Sequence, residues 1–219
     1  LIRTHSYPSP SQCKKNGRAN LKGKSVFYCS NRPLTSLAEA RPEKGSNGYL
    51  SIWQANTSRD VKYGICLPAE LRKENDFNFM AQGIHEFVKD NSLQTAGEKA
   101  AHFQFYFRFI TERFISEECP YPLSSWIANE MLFGEHWKDF IIYPSVANKT
   151  YACNMAFHPN SADTLLKFEK VMKFTVDQFE FPQIRLSKVK IGEIVNSRMT
   201  WHKATDSEME YIIPGTRKL

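Results

Sequence analysis

The sequence lacks any long apolar run. No stretch approaches the roughly 18 to 20 consecutive apolar residues that a membrane-spanning helix needs. The first 20 residues are polar and basic, without the apolar centre of a signal peptide. We therefore predict a chain that neither crosses a membrane nor carries a secretion signal.

Paired cysteines are also absent. The five cysteines are scattered, and none forms a Cys-x-x-Cys pair. This argues against a disulfide framework and against a zinc site. No other cluster of metal ligands is apparent, so no metal is expected. Reduced thiols are typical of intracellular proteins, and we predict a cytoplasmic location.

The sequence shows no basic stripe with interleaved aromatic residues. The chain has a formal net charge of +6 and a pI near 9.0, yet its lysines are dispersed along the chain. Direct nucleic-acid binding is therefore not expected. The positive charge instead favours an acidic partner or a ligand that carries phosphate.

What the chain does contain suits one domain. Its 219 residues are 42% hydrophobic, enough for a core. Apolar runs typical of strands and apolar residues at helical spacing interleave irregularly, which predicts a mixed α+β fold. We predict an irregular N-terminal arm (residues 1–16), a catalytic domain (17–195) and a loosely ordered polar tail (196–219).

Residues 18–42 hold the most informative pattern. Arg18, Tyr28 and Glu39 are separated by ten and eleven residues. Between them, residues 26–29 form a short apolar run that predicts a buried strand. Residues 35–41 predict one or two helical turns. A loop, a strand and a helix would thus each bring one functional side chain to a single cleft.

This stretch resembles the RES domain, a family named for its arginine, glutamate and serine. The resemblance covers roughly residues 17–175 and is densest in the first block. It rests on Gly17-Arg18-Ala19-Asn20, Gly23, Phe27-Tyr28, Thr35-x-x-Ala38-Glu39-x-Arg41-Pro42, Tyr121-Pro-Leu-Ser124, Ile142-Tyr143-Pro144-Ser145 and Asn154-Met-Ala-Phe157. Ser125 stands where the family usually has glutamine.

The resemblance implies an ADP-ribosyltransferase-like fold and an enzyme that consumes NAD as its substrate. Many members of this family are toxins restrained by an antitoxin, often of the helix-turn-helix type. The resemblance therefore implies NAD and phosphate as small-molecule partners and an antitoxin as a protein partner. It favours an NAD phosphorylase or NAD glycohydrolase over a mono-ADP-ribosyltransferase that modifies a protein.

The expected catalytic residues are Glu39, Arg18, Tyr28 and Ser124. A carboxylate beside the ribose stabilises the cation that forms when nicotinamide leaves, and Glu39 is the candidate. Arg18 would bind phosphate oxygens or the nicotinamide ribose. Tyr28 would stack on nicotinamide, and Ser124 would donate a hydrogen bond to the ligand or to Glu39. Arg18, Tyr28 and Ser124 are also the expected ligand-binding residues.

Each assignment has an alternative. The sequence Ser36-Leu-Ala-Glu39 is also a capping box, in which Glu39 would only close a helix N-terminus. Ser125 and Ser145 compete with Ser124 for the role of functional serine. The cleft could also belong to a module that binds a nucleotide without turning it over.

Overall fold

Two four-stranded sheets form the framework of the computed structural model, which describes residues 2–57, 59–94 and 98–213. The strands are β1 (Phe27–Ser30), β2 (Asn47–Ala55), β3 (Tyr63–Ile65), β4 (Phe140–Pro144), β5 (Cys153–Phe157), β6 (Leu166–Glu180), β7 (Gln183–Val195) and β8 (Arg198–Lys203). The helices are α1 (Pro33–Ala40), α2 (Asn78–Gln94), α3 (Glu98–Ser116), α4 (Pro122–Phe133), α5 (Pro159–Leu165) and α6 (Asp206–Ile212). The predicted mixed α+β single domain is confirmed.

The first sheet has the order β1-β5-β4-β3 and joins distant parts of the chain. Strand β1 is antiparallel to β5, with Tyr28 opposite Ala156 and Ser30 opposite Asn154. The apolar alternation of the two strands fixes this register, because a one-residue slip would turn the apolar side chains away from the core. The pairing brings residues 18–42 next to the β4–β5 connection.

The second sheet is antiparallel, with the order β2-β6-β7-β8. One face packs against α1 and α6 around the buried side chains of Leu37, Met172, Phe174, Ile191 and Ile212. The first residue of α1, Pro33, suits that position because a helix leaves its first backbone N–H groups unpaired. Helix α1 is therefore fixed between the two sheets, and its last turn points at the end of β1.

The N-terminal arm predicted for residues 1–16 contains two short 3₁₀ turns, Ile2–His5 and Pro10–Gln12. It is anchored at Tyr7, which is 8% exposed and donates a hydrogen bond to Asp163 at 2.7 Å. Within the residues that the structure describes, no helix is both long and apolar enough to span a bilayer.

The prediction of a loosely ordered tail is wrong for residues 198–212, which form β8 and α6. The polar composition hid two local signals. Thr205 and Glu208 form a capping box at the start of α6, and Met209 and Ile212 bury at helical spacing. The sequence also predicts a helix over residues 161–170, with Asn160 or Ser161 as its cap, whereas α5 ends at Leu165 and β6 begins at Leu166.

A buried carboxylate immediately before β4 joins the segment before β3 to helix α5 at one end of the first sheet. Asp139 is fully buried and pairs with Arg59 at 2.6 Å. It also accepts hydrogen bonds from the N–H of Lys62 and the hydroxyl of Ser161. The Arg59 hydrogen bond, helped by those of Lys62 and Ser161, outweighs burial and lowers the pKa of Asp139 to about 2.

We expect Arg59→Ala to lower the free energy of unfolding, because Asp139 would stay buried without its cation. The pKa of Asp139 is lower in the folded chain than in the unfolded one. Its contribution is therefore complete above about pH 4 and is lost as pH falls towards 2. Urea unfolding of wild type and variant at pH 7 and pH 3 measures both effects.

The matched control is Arg108→Ala, which removes an exposed ion pair with Glu112. Exposed pairs contribute little, so this variant should unfold at nearly the same urea concentration as wild type. Equal losses in the two variants would contradict the role given to Asp139.

Candidate active site

A cleft of about 440 Å³ lies where the last turn of α1 meets β1, β5 and the loop that precedes β1. Arg18, Tyr28 and Glu39 all line it, so three of the four residues singled out from the sequence meet at one place. Tyr121 and Arg41 also line it. The cleft thus offers one carboxylate, two guanidinium groups and several aromatic rings.

Glu39 is held by two hydrogen-bond donors. Its Oε1 accepts from the hydroxyl of Ser145 at 2.6 Å and from Nδ2 of Asn154 at 2.7 Å. Asn154 in turn accepts from the hydroxyl of Ser30 at 2.6 Å. Among the described residues no hydrogen bond reaches Oε2. One carboxylate oxygen is therefore fixed by the protein, and the other is available to a ligand.

The capping-box alternative for Glu39 does not hold. Helix α1 begins at Pro33 with Arg32 as its N-cap, so Glu39 lies in the last turn and not the first. A carboxylate near the C-terminal end of a helix is disfavoured by the helix dipole. The donors Ser145 and Asn154 offset that cost, which is the pattern of a group placed for a task other than helix stability.

The hydroxyl of Tyr28 is hydrogen-bonded to a tight turn of residues 17–20. Its hydroxyl accepts from the N–H of Ala19 at 2.8 Å and donates to Oδ1 of Asn20 at 2.8 Å. A side chain at Gly17 would collide with both, since its Cβ would lie 2.4 Å from Oδ1 of Asn20 and 2.9 Å from the Tyr28 hydroxyl. The Gly17-Arg18-Ala19-Asn20 segment therefore fixes the position of the Tyr28 hydroxyl.

The ring of Tyr28 remains accessible while its hydroxyl is enclosed. The residue is 42% exposed. Burial of the hydroxyl raises the pKa of Tyr28 above its usual value, against the opposing effects of the Ala19 N–H and of Arg18. The phenol therefore stays protonated around neutral pH and keeps its bond to Asn20.

Arg18 joins the cleft to helix α3. Its Nη1 donates to the backbone carbonyls of Phe114 at 2.9 Å and Glu117 at 3.1 Å, at the end of α3. The guanidinium lies 4.7 Å from the centre of the Tyr121 ring. No hydrogen bond within the described part of the chain uses Nε or Nη2. Nη1 of the Arg18 guanidinium is thus held by the protein, and the edge formed by Nε and Nη2 is free to bind an anion.

Ser124 does not line the cleft. It is fully buried, and its Oγ has no hydrogen-bond partner among the described residues. The serine that contacts Glu39 is Ser145, whose Oγ also accepts from the N–H of Asn148 at 3.4 Å. Ser125 is buried too, and its hydroxyl donates to the carbonyl of Pro122 at 3.4 Å.

The N-terminus of α4 binds a carboxylate that belongs to the chain itself. The N–H groups of Leu123 and Ser124 donate to Glu117 at 3.0 and 2.7 Å. Burial opposes ionisation of Glu117, but hydrogen bonding from the side chain and backbone of Ser124 and from the Leu123 N–H, together with the nearby charge of Arg113, outweighs it and lowers the pKa of Glu117. The first backbone N–H groups of α4 are thus satisfied within the chain.

Three further cleft residues were not singled out from the sequence. Asn154 reaches Glu39 across β5, a contact that only the strand register creates. Tyr121 and Arg41 appear in the family-like blocks but carried no role. Arg41 is the C-cap of α1 with φ 47°, a left-handed conformation in which glycine is the usual residue. An arginine at this position places a second guanidinium group at the edge of the cleft.

The comparisons with known proteins identify no relative: no family model, no curated protein and no solved structure matches the chain. The resemblance to the RES domain and to the ADP-ribosyltransferase fold therefore remains a prediction. Among the described residues there is also no group of three or more histidine, cysteine, aspartate or glutamate side chains able to hold a metal ion.

Proposed function

We propose that this chain is a NAD-consuming enzyme that breaks the bond between nicotinamide and ribose. The observation that carries the proposal is Glu39. Its Oε1 is fixed by Ser145 and Asn154, while it lines the same cleft as Arg18 and the exposed ring of Tyr28. A carboxylate can stabilise a ribosyl cation, a guanidinium can bind phosphate oxygens, and an aromatic ring can stack on a nicotinamide, so the cleft combines groups suited to NAD.

The chemistry follows from the leaving group. Nicotinamide is bound to ribose as a cation, and when the C1′–N bond breaks its electron pair returns to the ring, so nicotinamide leaves neutral. It needs no proton, and the positive charge passes to the ribosyl group. Oε2 of Glu39 can stabilise that charge and accept a hydrogen bond from a ribose hydroxyl. Phosphate or water then forms the new bond to C1′, and water loses one proton to solvent.

The remaining groups would bind the dinucleotide. The free edge of Arg18 and the guanidinium of Arg41 match the oxygens of the diphosphate. The Tyr28 ring, held by its hydroxyl, offers a fixed face to the nicotinamide. The ring of Tyr121 packs against the guanidinium of Arg18. Because this contact already restricts the arginine side chain, less conformational entropy is lost when Arg18 binds phosphate.

The identity of the acceptor is part of the proposal. The family resemblance favours phosphate or water, which corresponds to an NAD phosphorylase or NAD glycohydrolase. The second candidate is a mono-ADP-ribosyltransferase, whose acceptor would be a protein side chain. The openness of the cleft near Arg41, an exposed residue, fits either acceptor.

The direct test is to incubate the purified chain with NAD in the presence and absence of phosphate. Nicotinamide release is followed by chromatography, and the ribosyl product is identified by mass spectrometry. We expect release, with ADP-ribose-1″-phosphate or ADP-ribose as product. Normal NAD binding with no nicotinamide release under any acceptor would refute the enzyme and favour a binding module.

A biological role follows from the same resemblance. We propose that the chain acts as a toxin whose cleft is covered by an antitoxin in the resting cell. Expression of wild type should arrest growth and deplete cellular NAD, whereas Glu39→Gln should do neither. Growth arrest that persists in Glu39→Gln would separate toxicity from the cleft.

Ser145→Ala is expected to reduce the rate of nicotinamide release by about 10- to 100-fold, because a hydrogen bond to a charged group contributes roughly 1.5 to 3 kcal/mol. Ser124→Ala is the matched control, since that hydroxyl is buried away from the cleft and has no partner in the described structure. It should retain at least about one third of the rate. A larger loss in Ser124→Ala than in Ser145→Ala would reverse the assignment.

A further inference from the structure

The outer face of the second sheet carries lysines that are far apart in sequence and adjacent in space. Strand pairing sets Tyr49 opposite Lys173, Lys173 opposite Lys190, and Lys190 opposite Lys203. Directly opposed residues in neighbouring strands point to the same face. The three lysines, which we name the lysine row, cross β6, β7 and β8 over about 10 Å, since strands lie about 4.8 Å apart, and Tyr49 continues the row onto β2.

The lysine row is open to solvent. Lys190 and Lys203 are exposed, Lys173 is half-buried, and Tyr49 is 54% exposed. The opposite face of the sheet is the one that α1 and α6 cover. Like charges directly opposed on neighbouring strands destabilise a sheet, so the free protein bears a cost that an anionic partner would relieve.

Few carboxylates offset this charge. Glu193 lies on the other face, where it pairs with Lys170 at 3.8 Å. Asp177 lies at a bulge beyond the row and accepts a hydrogen bond from Ser187 at 2.7 Å. Arg185, which is exposed, lies opposite Gln178 past the same bulge. The contact given for the charge of the row is a cation–π contact, in which the ammonium of Lys173 lies 5.7 Å from the centre of the Tyr49 ring.

An aromatic platform adjoins the lysine row. Trp201 lies two residues before Lys203 on β8 and opposite Gly192. A Cβ at Gly192 would lie 2.9 and 3.0 Å from two atoms of the indole, so the ring occupies the space that a side chain would fill. Trp201 is still 40% exposed, and its ring centre is 6.3 Å from that of Tyr49.

We propose that this outer face binds single-stranded nucleic acid, independently of the NAD cleft. The lysine row would contact the phosphates, and Trp201 and Tyr49 would stack on bases. Base stacking on aromatic side chains beside a positively charged surface is the physical basis of such binding. A single strand is favoured over a duplex, because a duplex keeps its bases stacked on one another and offers none to the indole.

The test measures binding of the whole chain to fluorescein-labelled 12-mers of thymidine and of uridine by fluorescence anisotropy between 50 and 200 mM salt. Wild type should bind with a negative slope of log affinity against log salt. The triple variant Lys173→Gln, Lys190→Gln, Lys203→Gln should flatten that slope by about 2, since each phosphate contact to a single strand contributes roughly 0.7. Trp201→Ala should weaken binding about tenfold without changing the slope.

The matched control removes the same charge outside the second sheet, with Lys14→Gln, Lys15→Gln and Lys73→Gln. It should keep the wild-type slope to within about 0.5. Four results would overturn the proposal: no binding by wild type at 50 mM salt, equal losses in the two triple variants, equal binding of a 12-base-pair duplex, or binding of phosphatidylserine vesicles without binding of the 12-mers. Circular dichroism and thermal unfolding establish that each variant is folded.

Discussion

Replacing Glu39 with glutamine is expected to lower the turnover of NAD by about 10²- to 10³-fold while the fold stays intact. Glutamine keeps the shape of the side chain and can still accept from Ser145 and Asn154 through its carbonyl oxygen. It removes the negative charge that faces the ribosyl cation. The loss should therefore appear in kcat, and the affinity for NAD should change little.

Two measurements make this result specific to Glu39. Isothermal titration with NAD reports affinity, and the initial rate of nicotinamide release reports turnover. Glu43→Gln is the matched control, because Glu43 is an exposed carboxylate four residues further along the chain that does not line the cleft. Loss of affinity with unchanged turnover of bound NAD would show that Glu39 only binds the ligand.

Replacing Arg18 with lysine is expected to lower kcat/KM for NAD by about 100-fold, chiefly through KM. Lysine keeps the positive charge but cannot bind two phosphate oxygens through a fixed fork while a third nitrogen stays on the carbonyls of Phe114 and Glu117. It also loses the flat contact with the ring of Tyr121. Steady-state kinetics with NAD as the varied substrate measures the effect.

Arg72→Lys provides the matched control for Arg18. Arg72 makes the same kinds of contact elsewhere, with Nε donating to the carbonyl of Lys149 at 2.9 Å and its guanidinium 4.3 Å from the Tyr151 ring. The two variants should lower Tm by similar small amounts, and only Arg18→Lys should change NAD kinetics. A parallel loss of activity in both would assign the effect of Arg18 to stability.

The part of the site carried by β1 and α1 could be predicted from the sequence, because neighbouring residues determine both elements. An apolar run followed by turn residues predicts β1, and helical spacing that ends before Pro42 predicts α1. The structure places both within about two residues of the prediction. A strand and helix joined by a short turn leave little freedom in direction, so Tyr28 and Glu39 had to approach the same cleft.

The support for Glu39 could not be predicted, since it depends on strand register. Ser145 and Asn154 are 106 and 115 residues away in sequence, and a shift of β5 by one residue would turn Asn154 to the other face. Ser124 was the serine predicted from the sequence. The helix buries it, however, and Glu117 already satisfies the N-terminal backbone groups.

The same limit applies to the second sheet. Its lysines look dispersed in the sequence, and only the pairing of β6, β7 and β8 sets them opposite one another. Strand β8 itself was missed because its residues are mostly polar. The strand is mostly exposed, and its pairing with β7 determines its conformation more than its own composition does.

The wide separation of Glu39 from its two donors has a consequence for synthesis. A nascent chain contains Arg18, Tyr28 and Glu39 long before the ribosome adds Asn154. At about 5 to 20 residues per second, the delay is on the order of ten seconds. During that time the carboxylate lacks both partners, and β1 has no strand to pair with. If the chain consumes NAD, it is harmless to its host until translation has passed β5, which gives a restraining protein time to bind.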